Sequence, residues 1–205
     1  MAWELKVYTP MGSLVKTVTN ETSPNPIDGS VKVVVDAGGR VNQMELTARQ
    51  DLLQAAPRSI LRYAEDGHAI GAALVVTCPP TTSVGAGPAE DDADALQGIK
   101  CVGLEQLLRE SIVGPRLLNR QSLFALGSRD VAVIAYDLCG LYAHPALVVS
   151  EENFPGTGYD LSIFYKPEAT LLDVLEELAS TVPGGVNIWV DADLALHFEV
   201  NEEAS

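Results

Sequence analysis

The stretch TLLDVLEELASTVPGGVNIWVDADLALHFEV, residues 170–200, begins with a helix signal. Thr170 and Asp173 have the S/T-x-x-D/E spacing of a capping box, in which each side chain satisfies a backbone N–H of the other residue. The apolar residues behind them recur at helical spacing: Leu171, Val174, Leu175 and Leu178. Pro-Gly-Gly at 183–185 ends the pattern. The stretch therefore predicts one amphipathic helix with defined ends.

The second half of the same stretch predicts a β-hairpin. Residues 187–190 and 194–200 are the two candidate strands, and they flank Asp191-Ala192-Asp193. Upstream, residues 130–142 carry a second helix pattern, with Ser128 or Asp130 as its cap. A shorter helix is predicted from the spacing of Leu104, Leu107, Leu108 and Ile112. Residues 104–205 therefore predict an α+β module.

The first half of the chain has a different period. Trp3, Leu5 and Val7 alternate with Glu4 and Lys6, the period-two pattern of a half-buried strand. Further strands are predicted at 14–19, 31–35, 41–47, 58–63, 69–78 and 98–103, with turns at Gly38-Gly39 and Asp66-Gly67 and a loop at 79–95. Short strands with such turns indicate a small β-barrel or a sandwich, and their spacing does not decide between them. The predicted fold class is α+β, with a barrel or sandwich at 1–103 and a smaller α+β module at 104–205.

Charge divides the chain unevenly. The 205 residues include 13 basic and 28 acidic ones, a net charge of −15. Residues 1–129 carry −2, whereas residues 130–205 carry −13, with Lys166 as their one basic residue. A surface that grips phosphates needs clustered Lys and Arg, which argues against general nucleic-acid binding. The acidity fits either a solvated surface or a surface that repels another polyanion.

Residues for chemistry are sparse. The three histidines, His68, His144 and His197, accompany no G-x-S-x-G motif and no nucleophile signature around a cysteine. His197 alternates with Leu196 and Phe198, which predicts that it points away from the buried face of its strand. No P-loop or EF-hand pattern is present, and 28 acids make any single pair of carboxylates uninformative. We predict no catalytic, cofactor-binding or metal-ligating residue, no cofactor, and a protein that is not an enzyme.

The lack of a targeting signal and the pattern of cysteines predict a protein made in the cytoplasm. The start MAWELKVYTP lacks the basic and apolar regions of a signal peptide, and no apolar run is long enough to cross a bilayer. We therefore expect no membrane segment. The three cysteines, Cys78, Cys101 and Cys139, have no metal-site spacing and are expected to be buried thiols in a reducing compartment.

Four segments together carry a family resemblance: Ala55–Leu61 (AAPRSIL), Val75–Pro80 (VVTCPP), Gly103–Leu108 (GLEQLL) and Ala169–Val200, which includes Trp189–Asp193 and His197-Phe198. In this order they resemble the tail-hub, or baseplate-hub, proteins of long-tailed bacteriophages and related particles. The resemblance spans most of the chain, although its motifs are packing patterns and not chemical signatures.

The resemblance implies a structural protein of the tail tip that joins the tail tube to the distal tip and passes DNA without binding it specifically. It further implies assembly in the host cytoplasm, location in the virion tail, a homo-oligomeric ring of three or six copies, and contacts with distal tail, tube or tip proteins. Family members carry a second barrel, which the sequence up to Ser205 lacks, so the ring requires another chain's barrel or six copies. An acidic module would then be suited to line a DNA channel.

Two alternatives stay open at this stage. One is a tail accessory that binds the cell wall or cleaves polysaccharide, although only Trp3 and Trp189 are available as tryptophans to stack on sugars. The other is a binding domain unrelated to phage.

Overall fold

The first half of the chain forms a single antiparallel sheet in a computed structural model that describes residues 2–35, 41–77, 96–113, 128–161 and 169–201. Its strands are β1 (Trp3–Tyr8), β2 (Leu14–Thr19), β3 (Ile27–Val35), β4 (Val41–Arg49), β5 (Ile60–Glu65), β6 (His68–Thr77) and β7 (Leu96–Gly103). They lie in the order β2-β1-β5-β6-β7-β4-β3. A one-turn helix, α1 (Gln50–Leu53), follows β4.

One face of this sheet covers a core to which every strand contributes. In β1, Leu5 and Val7 are fully buried while Lys6 between them is not, as the alternation of the sequence predicts. The edge strands β2 and β3 supply Val18 and Ile27 to the same cluster. A flat sheet of seven strands would be about 29 Å wide, so its two edges share a core only if the sheet curves.

Irregular registers accompany this curvature. The pairings β1–β2, β3–β4, β5–β6 and β6–β7 each contain a register shift, and extra residues of this kind bend and twist a strand. The two edge strands, β2 and β3, do not pair with each other in the described part of the chain, so no closed barrel is detected there. The strands of residues 2–103 belong to one continuous sheet, where the sequence had left a barrel and a sandwich open.

The second half combines three helices with two small sheets in the residues that are described. The helices are α2 (Glu105–Glu110), α3 (Val131–Tyr142) and α4 (Leu171–Ser180), with a 3₁₀ turn at Glu151–Asn153. β8 (Arg129–Asp130) pairs with β9 (Asp160–Leu161), and β10 (Val186–Val190) forms a hairpin with β11 (Leu196–Val200). The predicted α+β class is confirmed.

The predicted capping box is present. The Thr170 hydroxyl accepts a hydrogen bond from the Asp173 N–H at 3.1 Å, and the Asp173 carboxylate accepts one from the Thr170 N–H at 3.3 Å. Behind it α4 buries Leu171, Leu172, Leu175, Leu178 and Ala179. Three aromatic rings extend this core, since Phe154 stacks on Phe198 at 6.1 Å and meets the edge of Tyr136 at 5.6 Å.

Some predicted boundaries were wrong. Ile112 lies beyond the end of α2, is 54% exposed and forms an isolated bridge with Thr170, so it does not share the buried face of Leu107 and Leu108. Arg58 precedes β5 and does not belong to it, because its φ of 71° places it in a turn in which its N–H donates to the Val75 carbonyl. The predicted turn at Gly38-Gly39, the loop 79–95, Cys78 and the segment 114–127 lie outside the described residues.

The chain divides into two compact units, residues 1–104 and 105–205. The first carries 8 basic and 12 acidic residues, a net charge of −4, and the second carries 5 and 16, a net charge of −11.

Gly71 provides a test of the curvature. A Cβ built on this β6 glycine would overlap the Cγ2 methyl of Val41, which belongs to β4. We expect Gly71→Ala to lower the free energy of unfolding by about 1–3 kcal/mol in urea denaturation, because the added methyl overpacks a close approach of two strands. Gly98→Ala in β7 is the matched control, since its Cβ would meet nothing within 4 Å.

Val41→Ala combined with Gly71→Ala removes the overlapping methyl and is expected to recover part of the loss. Equal stability of the Gly71→Ala and Gly98→Ala variants would contradict the close approach of β4 and β6.

Candidate functional site

Edge strand β2 and the turn before it expose apolar side chains. Met11 in the turn is 60% exposed, Leu14 is 55% exposed and Val15 is 42% exposed. Tyr8 pairs with Leu14 and Val7 pairs with Lys16, so Val15 is the extra residue of a bulge. Because the bulge interrupts the alternation, two consecutive apolar side chains reach solvent.

The opposite edge, β3, also carries exposed valines. Val34 is 39% exposed and Val35 is 48% exposed, while Val31 and Val33 pack partly against the core. An edge strand presents unpaired backbone N–H and C=O groups, and soluble monomers usually blunt such an edge with charges, Pro or a covering element. The exposed apolar residues on β2 and β3 make both edges candidate surfaces for strand pairing with another chain.

An open depression of about 430 Å³ lies on the face of the sheet opposite the core, beside β1, β2 and β5. Its lining includes two basic side chains, Lys6 and Arg62, and two acidic ones, Glu4 and Glu21. Lys6 forms a 2.8 Å ion pair with Glu4. This balance of charges favours neither an anionic nor a cationic ligand.

The second unit places its acids on the surface. Asp173, Glu176 and Glu177 are exposed on α4, and Glu151 and Glu152 are exposed in the 3₁₀ turn. In the described part of residues 130–201 no Lys or Arg accompanies them. Just before this range, Arg129 forms a 2.9 Å ion pair with Asp137. The described surface of residues 130–201 is therefore strongly acidic.

The Asp130 carboxylate accepts four hydrogen bonds from described residues. One oxygen caps α3 by accepting from the Ala132 N–H at 2.8 Å, and it also accepts from the N–H and hydroxyl of Thr157, each at 3.1 Å. The other oxygen accepts from the Gly158 N–H at 2.7 Å. Burial raises the pKa of this carboxyl, but the hydrogen bonds outweigh burial and hold the pKa below its ordinary value. Asp130 thus fixes the loop 156–159 to the start of α3.

The terminal hairpin holds a cluster of titratable groups. The His197 ring stacks on Trp189 with centroids 4.7 Å apart and planes 3° apart. Its Nε2 lies 3.0 Å from an Asp191 carboxylate oxygen, and its Nδ1 lies 3.6 Å from a Glu199 carboxylate oxygen. The other Asp191 oxygen accepts from the N–H groups of Asp193 and Ala195, which orders the turn. His197 lies on the face opposite Leu196 and Phe198, as predicted, but its side chain is only 17% exposed.

The other histidines and the two described cysteines lie on separate elements. His68 begins β6, and the His144 Nδ1 accepts a hydrogen bond from the Ala146 N–H in the turn after α3. Cys101 and Cys139 are buried, and burial raises the pKa of the Cys139 thiol to about 12, which keeps it protonated and unreactive. Among the residues described, His, Cys, Asp and Glu side chains form no group of three that could hold a metal ion. Helices within the described ranges are all too short or too polar to span a membrane.

Sequence reasoning missed the exposed edges and the hairpin cluster. The edges depend on strand order, which pairs β1 with β5 and not with β3, and no periodicity reports that order. The cluster could have been predicted from the sequence, because a hairpin turn at 191–195 makes Trp189 and His197 direct cross-strand partners.

Comparisons with known proteins rest on the fold alone. No family model matches the chain, and no curated protein matches it by sequence. The structure is similar to the crystal structure of the tail protein from Neisseria meningitidis, at 13% identity and a TM-score of 0.54, over 99% of this chain and 52% of that one. It is also similar to the tail protein of prophage MuSo2 from Shewanella oneidensis, at 12% identity and a TM-score of 0.53, over 96% of this chain and 54% of that one.

The fold is shared with tail proteins. The structural similarity includes both units, since it extends over nearly the whole chain. This chain spans about half the length of the two solved tail proteins.

Asp130 yields a prediction with a defined pH dependence. In Asp130→Asn an amide donor can replace the oxygen that faces the Gly158 N–H, so we expect a loss of about 1–2 kcal/mol of unfolding free energy at pH 7. Since folding lowers the pKa of Asp130, its stabilisation is complete above the unfolded pKa and is lost as pH falls through the folded pKa. Urea denaturation at a series of pH values measures the difference in unfolding free energy between the unmodified protein and Asp130→Asn.

Asp137→Asn is the control, because a partly exposed ion pair with Arg129 contributes only about 0.2–1 kcal/mol. Two results would refute the role given to Asp130. One is an equal loss of unfolding free energy in both variants, and the other is a loss in Asp130→Asn that grows as the pH falls.

Proposed function

We propose that this protein is a structural component of a bacteriophage tail, located at the hub that joins the tail tube to the distal tip. The observation that supports this most strongly is the fold shared with two tail proteins over at least 96% of the chain. The order of the segments 55–61, 75–80, 103–108 and 169–200 in the sequence points to the hub among tail proteins. In this role the chain is not an enzyme and uses no cofactor.

The two edges of the sheet suggest how copies associate. β2 and β3 are different strands at opposite ends of one sheet, so pairing β2 of one copy with β3 of the next joins two unlike surfaces. Head-to-tail contacts of this kind form a closed ring when the rotation between copies closes. The proposed assembly is a ring of three or six copies, which other tail proteins complete. The first unit, with its curved sheet, takes the place of the barrel domain of the hub.

The negative charge of the second unit would repel a neighbouring polyanion such as DNA. Duplex DNA carries one negative charge per about 1.7 Å of its axis. A unit with a net charge of −11 and exposed acids on α4 repels this charge. DNA therefore passes the proposed hub in the virion tail without being held, and the ring itself assembles in the host cytoplasm.

Oligomeric state tests the proposal. At micromolar concentration, native mass spectrometry of the full chain is expected to show trimers or hexamers. Val15→Lys on β2 and Val34→Lys on β3 place a charge on each edge and are expected to shift the population to monomers, because charged edge residues oppose strand pairing.

Val76→Lys is the matched control, since Val76 is 49% exposed but belongs to the interior strand β6. It should leave the ring intact. A protein that stays monomeric at all concentrations, or a ring unaffected by both edge variants, would refute assembly through the edges. Absence of the protein from purified tails would refute the tail role itself.

A further inference from the structure

The two edge strands of the seven-stranded sheet run in the same direction. Each of its six strand pairings, from β2–β1 at one edge to β4–β3 at the other, is antiparallel. Strand direction therefore reverses six times between β2 and β3. Because this number is even, the two edges point the same way within the sheet. With an even number of strands they would point in opposite directions.

The two sides of each edge strand differ in character. On β2, Val18 is fully buried in the core, whereas Thr17 beside it is exposed. On β3, Val33 packs against the same core and is only partly buried, whereas Lys32 beside it is exposed. Successive side chains of a strand point to opposite faces of its sheet. Val18 and Val33 therefore mark the core face at the two edges, and Thr17 and Lys32 mark the outer face.

The direction of the edges determines how β2 of one copy can pair with β3 of the next. In a ring, every copy is related to its neighbour by the same rotation. A neighbour that keeps its core face on the same side of the joint sheet brings its β3 alongside β2 in the same direction, which is a parallel pair. An antiparallel contact between these two strands requires a neighbour that is turned over, with its core face on the opposite side.

The side chains favour the neighbour that keeps its face. In that arrangement Val18 and the neighbour's Val33 lie on one side of the joint sheet, where β2 covers the partly exposed Val33 and removes apolar surface from water. Thr17 and Lys32 then lie together on the solvent side. In the turned-over arrangement Lys32 stands on the side of Val18, and burying an ammonium group beside the core is unfavourable.

We propose that copies of this chain join through a parallel strand pair, β2 of one copy beside β3 of the next, so that their core faces form one continuous surface. The inference rests on the proposed assembly through the sheet edges and specifies its partner, which is the unlike edge of a second copy in the same direction. The regular parts of the two strands, Thr17–Thr19 and Lys32–Val34, are aligned when Val18 lies beside Val33.

Strand direction at the contact also separates a ring from a dimer. Two β2 strands, or two β3 strands, meet about a two-fold axis, which pairs them antiparallel and closes the assembly at two copies. The parallel contact joins unlike edges and leaves one edge of each kind for the next copy. Its hydrogen bonds are evenly spaced and slanted, as in other parallel pairs.

Disulfide cross-linking of the full chain measures this direction. The positions are Thr17 and Thr19 on β2 and Lys32 and Val34 on β3, which all lie on the outer face. The proposed contact places Thr17 beside Lys32 and Thr19 beside Val34. We expect the variants Thr17→Cys/Lys32→Cys and Thr19→Cys/Val34→Cys to form covalent dimers on mild oxidation with oxidised glutathione.

The two crossed variants, Thr17→Cys/Val34→Cys and Thr19→Cys/Lys32→Cys, are the matched controls. In the parallel contact their cysteines are displaced by two residues along the strands, so their Cα atoms are about 8 Å apart and beyond the usual reach of a disulfide. We expect at least about fivefold less dimer from them. Single variants Thr17→Cys and Val34→Cys report contacts between like edges, and the unmodified protein reports linking through its own cysteines.

The outcomes separate the strand direction from the assembly itself. More dimer from the crossed variants would show an antiparallel contact and overturn the proposal. Dimers from a single variant would show that like edges meet, with the same consequence. Trimers or hexamers in native mass spectrometry without any interchain link would overturn the parallel contact and leave the oligomer standing. A chain that stays monomeric would overturn both the contact and the assembly through the edges.

Discussion

The single core shared by seven strands is the constraint on which the first unit depends. Leu5 and Val7 in β1, Met44 in β4 and Ile99 in β7 are all fully buried, together with residues of both edge strands. A sheet can gather these residues into one cluster only by curving, and the Val41 side chain on β4 closely approaches Gly71 on β6, two strands away. The strand order leaves β2 and β3 as the two edges, and the assembly proposed above uses those edges.

The second unit builds its core from helices and two small sheets, and not from one large sheet. Its hairpin and its two-residue strands are too small to bury much apolar surface alone, so α3 and α4 cover them and Phe154 links the hairpin to α3. Asp130 and the Thr170–Asp173 capping box fix the starts of these two helices through side-chain hydrogen bonds. The acids outside these caps, such as Glu176 on α4 and Glu151 and Glu152 in the 3₁₀ turn, are exposed and contribute to the negative charge of the unit.

Local patterns predicted the elements well, and long-range pairing explains what they missed. The alternation in β1 and the capping box of α4 are set within a few residues, so the sequence reports them directly. Arg58 shows the limit, because its apolar neighbours suggested a strand while a hydrogen bond to distant Val75 placed it in a turn. Strand order could not be predicted either, since it places β5 beside β1 across more than 50 residues. The exposed edges and the His197 cluster follow from that order and from the hairpin register, and not from residue type.

Hydrogen–deuterium exchange of the full chain, compared between dilute and concentrated samples, tests most directly the claim that the two sheet edges join neighbouring copies. We expect the outward-facing backbone amides of β2 and β3, which do not bond to β1 or β4, to exchange rapidly in the dilute protein and to become protected on assembly, whereas amides of β5 and β6 stay protected throughout. Protection that appears elsewhere on assembly, with β2 and β3 exchanging as rapidly as before, would contradict it.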